Sequence, residues 1–252
     1  MPVKEGDFVL VDYVVCVKEE GTVVETNIEE EAKKAGIYDE RIRYEPRLVI
    51  VGEGVFFEDV EKGLVGLEEG QEKEIELPPE KAFGLRDPNK VKTIPARELS
   101  RRGIVPRAGR EIELEDGQRG RIIHVGGGRV VVDFNHPLAG KTLIYKVKVV
   151  KILKTLEEKV QGLVDRWLGG IGGVKISSSN GVVELVMPEE ALFVSGLGAR
   201  LRGLTRDVKR ALPEVKQLRV VWEYTLREEG EQGQETASSQ EGSQGQQPSS
   251  ES

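Results

Sequence analysis

The chain has 252 residues, of which 38% are hydrophobic and 5% aromatic, and this composition favours several small modules over one large core. A net charge of -7 argues against nucleic-acid binding by the whole chain. Its single cysteine, Cys16, excludes an internal disulfide, and no stretch reaches the about 18 consecutive apolar residues of a transmembrane helix. Because no apolar leader follows Met1, we expect a cytoplasmic protein with no membrane partner.

The first part of the chain is predicted to be a β module with two long strands. Residues 7–17 (DFVLVDYVVCV) are rich in valine and aromatic residues, so they predict a strand with Tyr13 on the same face as several valines. The second long strand, 142–153, places Tyr145 on one face by the same alternation. The elements predicted between them are a strand after Glu20-Gly21, a helix-prone stretch over 28–40, a strand over 47–51, a short helix around Val60 and a strand over 72–77.

An insertion is predicted to interrupt this module from residue 87 to about residue 130. Residues 93–98 (TIPARE) predict the opening of a short helix. Two strands, 111–115 and 119–125, follow on either side of Asp116-Gly117, and the glycines at 126–128 predict a turn. The β module therefore resumes after a small, mainly β insert.

The C-terminal third is predicted to form an αββαβ domain over residues 155–227. Thr155 and Glu158 form a capping box ahead of an amphipathic helix. Strands over 174–178 and 182–187 join at Asn180-Gly181. A helical region that starts at Pro188 and keeps the 3.6 period from Leu197 to Leu212, and a strand over 218–225, complete the unit. Residues 228–252 contain six Glu and no Lys, Arg or aromatic residue, so we expect a disordered acidic tail.

The residues that point to chemistry are aromatic rather than polar. One Cys and two distant histidines, His124 and His136, give no zinc spacing, and the chain has neither a GxSxG nucleophile elbow nor a GxxxxGK[ST] phosphate loop. We therefore expect no metal and no cofactor. The informative set comprises five of the eleven Phe and Tyr residues: Tyr13, Phe56, Phe57, Phe83 and Tyr145.

Three segments carry a resemblance to a known family. They are YVVCVKEEGTVVET at 13–26, GEGVFFEDVEKGLVGLEEGQEKEIELPPEKAFG at 52–84 and DFNHPLAGKTLIYKVKVVKI at 133–152. They resemble the FKBP family, specifically its SlyD-like and archaeal long type. The resemblance implies an α+β fold in which an antiparallel sheet of residues 1–86 and 131–154 wraps a short helix. It also implies an inserted flap over residues 87–130.

The same resemblance implies a peptidyl-prolyl cis/trans isomerase and folding chaperone. Its prolyl pocket would comprise Tyr13, Val24, Glu25, Phe56, Phe57, Val60, Phe83, Leu138 and Tyr145. Of these, Tyr13, Glu25, Phe57, Val60, Phe83 and Tyr145 are the expected catalytic positions, with the Phe57 backbone N–H meeting a substrate carbonyl. Without the resemblance, the pattern around Tyr13, Val60 and Tyr145 would favour a hydrophobic core over a binding site.

Four positions depart from the family pattern. Glu25 replaces the usual Asp, Asp59 a Gly, Val60 a bulky residue such as Trp, and Phe83 the Tyr of the AYG motif. Loss of the phenol removes one hydrogen bond, worth about 0.5–1.5 kcal/mol, so weak activity is expected. The alternative is a holdase or ribosome-associated chaperone on an FKBP scaffold that catalyses poorly.

The expected partners are unfolded or nascent polypeptides that contain proline. Ile104, Val105 and Ile123 of the flap are candidate contacts for such chains, and they suit the insert's own core equally well. In the C-terminal domain, residues 195–219 contain seven basic and two acidic residues, a net charge of +5. This pattern leaves open a homodimer through residues 155–227, a weak RNA or ribosome contact through 195–219, or a solvated basic face.

Overall fold

A computed structural model describes residues 1–114, 117–169 and 171–224. Its architecture is mixed α and β, with three sheets and short helices. The first sheet has five strands: β1 (Phe8–Val17), β2 (Val23–Thr26), β3 (Arg47–Ile50), β4 (Glu72–Leu77) and β9 (Leu143–Leu153). All of its strand pairs are antiparallel, as the family resemblance implies.

Strand β1 organises this sheet. Along one edge it pairs first with β3 and then with β2, and along its other edge it pairs with β9 from Phe8↔Leu153 to Val17↔Leu143. Strand β4 closes the far side of β9, and helix α1 (Glu29–Ala35) lies between β2 and β3. The two long strands therefore hold together segments that are far apart in the sequence.

The two faces of the sheet bury different side chains. Helix α2 (Glu58–Leu64) covers one face, where Val60 and Leu64 pack against residues of β1 and β9 that the period-two pattern predicts to share a face. Those residues are Val9, Val11, Tyr13, Val15, Val17, Leu143, Tyr145, Val147 and Val149. On the other face, Phe8, Leu48, Ile50 and Leu153 pack against the C-terminal third of the chain.

The second sheet consists of β5 (Val91–Pro95), β6 (Glu111–Glu113), β7 (Arg119–Gly126) and β8 (Arg129–Asp133), with the strand order β5-β8-β7-β6. Helix α3 (Ala96–Arg101) follows β5 and buries Leu99 against Ile122, Val130 and Val132. Strand β8 pairs with both β5 and β7 through Asp133, so the sequence-predicted boundary at 130/131 falls inside this sheet.

Two further predictions about the insert need correction. Residues 93–95 belong to strand β5 and not to the predicted helix. The helix begins at Ala96, and Pro95 is its N-cap residue. Strand β6 ends at Glu113, so Leu114 is not part of it as the predicted 111–115 strand requires. Glu115, the last residue of that predicted strand, lies outside the described residues, as does Asp116.

The chain enters and leaves the second sheet at one point, which is cross-linked by side chains. The Asn135 side chain accepts the Asp87 backbone N–H at 2.9 Å and donates to the Asp87 carbonyl at 2.9 Å. Arg86 donates to the Asp133 carboxylate at 2.6 Å. The entering and leaving segments are thus tied to each other beside the first sheet.

The C-terminal third contains α4 (Leu156–Leu168), β10 (Lys175–Ser179), β11 (Val182–Met187), α5 (Leu197–Ala211) and β12 (Gln217–Trp222). Strand β11 pairs antiparallel with β10 and parallel with β12. The capping box is present, because Thr155 accepts the Glu158 N–H while Glu158 accepts the Thr155 N–H. Asn180 and Gly181 adopt φ of 52° and 77°, the left-handed conformation of the predicted hairpin turn.

Short 3₁₀ turns complete the described chain at Pro79–Lys81, Pro88–Lys90 and Glu189–Phe193. Among the described residues, no helix combines the length and hydrophobicity that crossing a bilayer requires. The tail predicted over residues 228–252 lies outside the described residues.

Candidate prolyl-binding site

Two tyrosines and two phenylalanines converge at one end of the first sheet. Tyr13 of β1 and Tyr145 of β9 lie on adjacent antiparallel strands and face helix α2. The Phe56 ring lies edge-on to both, with centroid distances of 5.1 Å to Tyr13 and 6.1 Å to Tyr145. Phe57 lies 6.1 Å from Tyr145. These edge-to-face contacts stabilise the ring positions beyond simple burial and form an apolar site.

Helix α2 provides the floor of this site and its backbone donor. Val60 is fully buried beneath the rings, as its place in the core cluster shows. Phe57 is the N-cap, and its carbonyl accepts the Val60 and Glu61 N–H groups at 2.9 and 3.1 Å. Within the described chain, the Phe57 N–H donates to no protein acceptor. That N–H is therefore available to a ligand carbonyl.

Polar residues contact the hydroxyl, the ring and the backbone N–H of Tyr13. Its hydroxyl donates to Glu25 Oε1 at 2.7 Å, and Arg47 lies 5.4 Å above its ring and 3.7 Å from the same carboxylate. The Tyr13 backbone N–H donates to the buried Asn27 side chain at 2.7 Å. Burial, together with this hydrogen bond to Glu25, raises the pKa of Tyr13, and burial raises the pKa of Tyr145 to about 12. Both phenols therefore stay protonated at neutral pH.

A buried carboxylate shapes the loop that carries the phenylalanines. Glu61 is only 3% exposed and accepts three backbone N–H groups, from Gly52, Gly54 and Phe56, at 2.8, 3.1 and 2.9 Å. Gly52 and Gly54 have φ of 97° and 76°, a conformation that favours glycine. Three charge-assisted hydrogen bonds to one carboxylate fix the loop that presents Phe56 and Phe57.

The outer rim of the site contains Phe83 and His136. Phe83 lies 5.5 Å from Phe57, edge-on, and stacks on the His136 ring at 4.1 Å with an interplanar angle of 5°. His136 Nδ1 accepts the Leu138 N–H at 3.2 Å. Asp59, one of the departures from the family pattern, forms an ion pair with Lys81 at 2.6 Å.

The structure separates the sequence-predicted site residues into two groups. Val24, Leu138, Phe56 and Phe57 pack partly buried against the core that contains Tyr13, Val60 and Tyr145, and Glu25 and Phe83 join them through Tyr13 and Phe57. The other three lie elsewhere: Ile123 is in strand β7 of the second sheet, and Ile104 and Val105 follow helix α3. Ile104 packs partly buried against the core of the second sheet. Val105 is 58% exposed and Ile123 is also exposed.

A groove of about 1000 Å³ lies between the second sheet and the loop that carries His136. Its lining includes Ile112, Arg119, Arg121, Ile123, Phe134 and His136. His136 therefore contacts both the rim of the aromatic site and this groove.

Sequence reasoning missed three residues of the site: Arg47, Glu61 and His136. Arg47 and Glu61 look like ordinary surface charges of a strand and a helix in the sequence. His136 lies within the quoted NHPLAGK string, but only the fold brings its ring onto Phe83. Within residues 1–114, 117–169 and 171–224, no cluster of His, Cys, Asp or Glu is arranged to hold a metal ion.

Comparison with known proteins identifies the family. The chain is 42% identical over 147 residues to the short-type peptidyl-prolyl cis-trans isomerase of Methanocaldococcus jannaschii, a match that spans 58% of this chain and 92% of that protein. The chain is an FKBP-type peptidyl-prolyl cis-trans isomerase family member. The family resemblance seen in the sequence is thereby confirmed.

Two further relatives and two family models also match parts of this FKBP-type chain. The SlyD protein of Helicobacter pylori is 31% identical over 53% of this chain and 75% of its own length. The FKBP-type 16 kDa isomerase of Escherichia coli is 34% identical over 44% of this chain and 77% of its own length. Two family models also match, "FKBP26, IF domain" at residues 92–138 and "FKBP26_C-terminal" at residues 156–225.

Proposed function

We propose that this protein catalyses the cis/trans isomerisation of Xaa-Pro bonds, with the prolyl ring bound among Tyr13, Phe56, Phe57 and Tyr145 above Val60. The observation that carries the proposal is this apolar aromatic site, with the Phe57 N–H at its edge. The family relationship supports the same activity, because the relatives are named peptidyl-prolyl cis-trans isomerases.

The chemistry requires no nucleophile. Rotation about the peptide bond breaks its resonance and faces a barrier of about 18–20 kcal/mol. The cis and trans forms of an Xaa-Pro bond differ by only about 0.5–1 kcal/mol, so the enzyme needs to stabilise only the twisted state. A twisted amide has lost its charge separation and therefore tolerates an apolar site better than the planar amide does.

Each named group has one task in this mechanism. The aromatic rings hold the prolyl ring, and the Phe57 N–H donates to a carbonyl of the substrate so that the chain on one side of the bond is fixed. The Tyr13 hydroxyl is already bonded to Glu25, so Tyr13 contributes its ring and its fixed position. Because Val60 is smaller than the Trp of the family pattern, the floor of the pocket is lower and the prolyl ring has more room.

A protease-coupled assay on a short Xaa-Pro peptide tests the activity. We expect Tyr145→Ala to reduce kcat/KM by at least about tenfold, since it removes one wall of the pocket, a loss of about 1.4 kcal/mol or more in transition-state binding. Tyr38→Ala is the control, because Tyr38 is an exposed tyrosine that stacks on Tyr44 outside the site. Full activity of Tyr145→Ala in a folded protein would refute the assignment of the pocket.

We propose further that residues 1–86 with 134–154 form the isomerase domain, that the second sheet is an inserted flap, and that residues 155–224 form an added domain. The flap would bind unfolded polypeptides through exposed apolar residues, which include Val105 and Ile123. Tethering a client there raises the local concentration of its prolines near the aromatic site.

The flap proposal is tested with Val105→Ser combined with Ile123→Ser. We expect this variant to keep its activity on a short Xaa-Pro peptide but to lose most of its acceleration of the proline-limited refolding of a protein substrate. Val150→Ser, an exposed valine of β9, serves as the control. Unchanged refolding rates would show that clients bind elsewhere. The homodimer, the RNA or ribosome contact of residues 195–219 and the cytoplasmic location stay predictions, although only Leu197–Ala211 of that basic segment is helical. Light scattering and salt-dependent RNA titration address the first two.

A further inference from the structure

The C-terminal third of the chain packs against strand β3, which leads directly into the loop of the aromatic site. Leu48 and Ile50 of β3 are buried in one cluster with Leu163, Leu168 and other residues of α4 and α5. Helix α4 approaches so closely that a Cβ on Gly162 would lie 3.2 Å from Leu48 Cδ1. A contact as tight as this transmits displacement rather than absorbing it.

A buried carboxylate organises the polar side of this interface. Asp207 of α5 is 3% exposed and accepts the Trp167 indole N–H at 2.8 Å. Arg166 and Arg210 approach the same carboxylate at 3.5 and 3.3 Å. Because a buried charge is tolerated only when it is paired, Asp207 holds both arginines in defined positions.

Both arginines also reach the isomerase domain. Arg166 donates to the Leu48 carbonyl of β3 at 2.7 Å. Arg210 donates to Glu53 Oε2 at 2.5 Å, and the Glu53 side chain is only 17% exposed. Burial raises the pKa of Glu53, and the positive charge of Arg210 opposes that rise. The Glu53 carboxylate is therefore stabilised by Arg210 across the interface.

Glu53 lies between the two glycines that donate to Glu61. The loop of residues 52–56 is therefore bound from two sides, by Glu61 of α2 through the N–H groups of Gly52, Gly54 and Phe56, and by Arg210 of α5 through the Glu53 side chain. The first contact comes from within the isomerase domain and the second from the added domain. The loop ends at Phe56, and the next residue is Phe57, both of which line the pocket.

We propose that Arg210 is a positioning residue for prolyl isomerisation, through which the C-terminal domain holds the 52–56 loop and so sets the orientation of Phe56 and the Phe57 N–H. This inference rests on the proposed function of the aromatic site. It assigns to the C-terminal domain a contribution to catalysis in the same chain, besides any role in assembly.

The test uses the full chain with Arg210→Gln, Glu53→Gln and the double variant. Couplings of this kind change activity by roughly threefold to tenfold, and we expect kcat/KM on a short Xaa-Pro peptide to fall by that factor in each single variant. Because the two side chains act as one pair, the double variant should lose little more than either single variant. Arg210→Lys keeps the charge and should restore most of the activity.

The matched control is Lys209→Gln, which removes the charge of the adjacent exposed residue of α5 and should leave kcat/KM unchanged. A second readout separates positioning from a purely structural role. Hydrogen exchange of the Gly52, Gly54 and Phe56 amides should accelerate in Arg210→Gln, whereas amides of β9 should exchange as in the wild type.

The two readouts keep the outcomes distinct. If the wild-type protein shows no isomerase activity, the proposed function fails, and amide exchange still decides whether Arg210 orders the loop. If the wild type is active but Arg210→Gln matches Lys209→Gln in both kcat/KM and loop exchange, the positioning proposal is overturned. A uniform acceleration of exchange through both domains would also overturn it, because Arg210 would then act only on global stability.

Discussion

The strongest prediction concerns Glu61, whose carboxylate accepts the three loop N–H groups of Gly52, Gly54 and Phe56. In Glu61→Gln the amide oxygen can replace only one carboxylate oxygen, and the new NH₂ group faces N–H donors. The variant therefore loses at least one charge-assisted hydrogen bond, worth about 1.5–3 kcal/mol, and leaves a buried donor unsatisfied at a further cost of about 1–3 kcal/mol.

The lost hydrogen bond and the unsatisfied donor both lower the free energy of unfolding, and relaxation of the loop recovers part of that loss. We therefore expect Glu61→Gln to lower the free energy of unfolding by about 3–4 kcal/mol. Urea denaturation followed by circular dichroism measures the change in stability, and the peptide assay measures the accompanying loss of kcat/KM. Glu58→Gln is the control, since Glu58 lies on the same helix with its side chain 80% exposed and forms an ion pair with Lys62. It should change stability by less than about 0.5 kcal/mol. If Glu61→Gln unfolds at the same urea concentration as Glu58→Gln, the carboxylate does not hold the loop.

Three further predictions address the rim of the site and the C-terminal domain. Phe83→Tyr adds the phenol of the family pattern and should raise kcat/KM by about twofold to tenfold in the peptide assay, and no gain would show that the rim hydroxyl has no partner here. Thr155→Ala removes the cap of α4 and should lower the free energy of unfolding by about 1 kcal/mol in urea titrations, whereas Thr155→Ser should not. Hydrogen bonds from Lys151 and from the N–H groups of Lys154 and Thr155 lower the pKa of Glu158 from its ordinary value of 4.5 to about 2. The stability from this group is therefore complete above pH 4.5 and is lost as pH falls towards 2, and Glu158→Gln should flatten stability over that interval only.

Much of the fold follows from local pattern. The alternation of β1 and β9, the Asn180-Gly181 hairpin and the capping box of α4 each depend on a few neighbouring residues, and the structure contains all of them. Strands β5 and β8 escaped prediction as strands because residues 93–98 resemble the start of a helix and because the pairing of β5 with β8 joins segments about forty residues apart. The stability of a short strand depends on its cross-strand neighbours, which the local sequence does not identify.

The site divides in the same way. That the aromatic residues lie together could be predicted, because their types and the family segments that contain them single them out. Glu61 and Arg210 could not, because a charged residue on a helix is usually solvated, and only tertiary structure reveals which ones are buried against backbone N–H groups or a second domain. The interface that places Arg210 beside Glu53 joins residues far apart in the chain, a relation that periodicity does not encode.

The pairing of β1 with β9 has a consequence for the order of events during synthesis. Strand β1 pairs with β9 along its whole length, so its main partner leaves the ribosome only after residue 153 has been added. The second sheet is complete at Asp133, with its own buried core and all of its strand partners. Because domains fold as units when their residues become available, we expect the second sheet to fold before the first sheet has gained strand β9. The part of the molecule proposed to bind unfolded chains is therefore native before the part proposed to isomerise them.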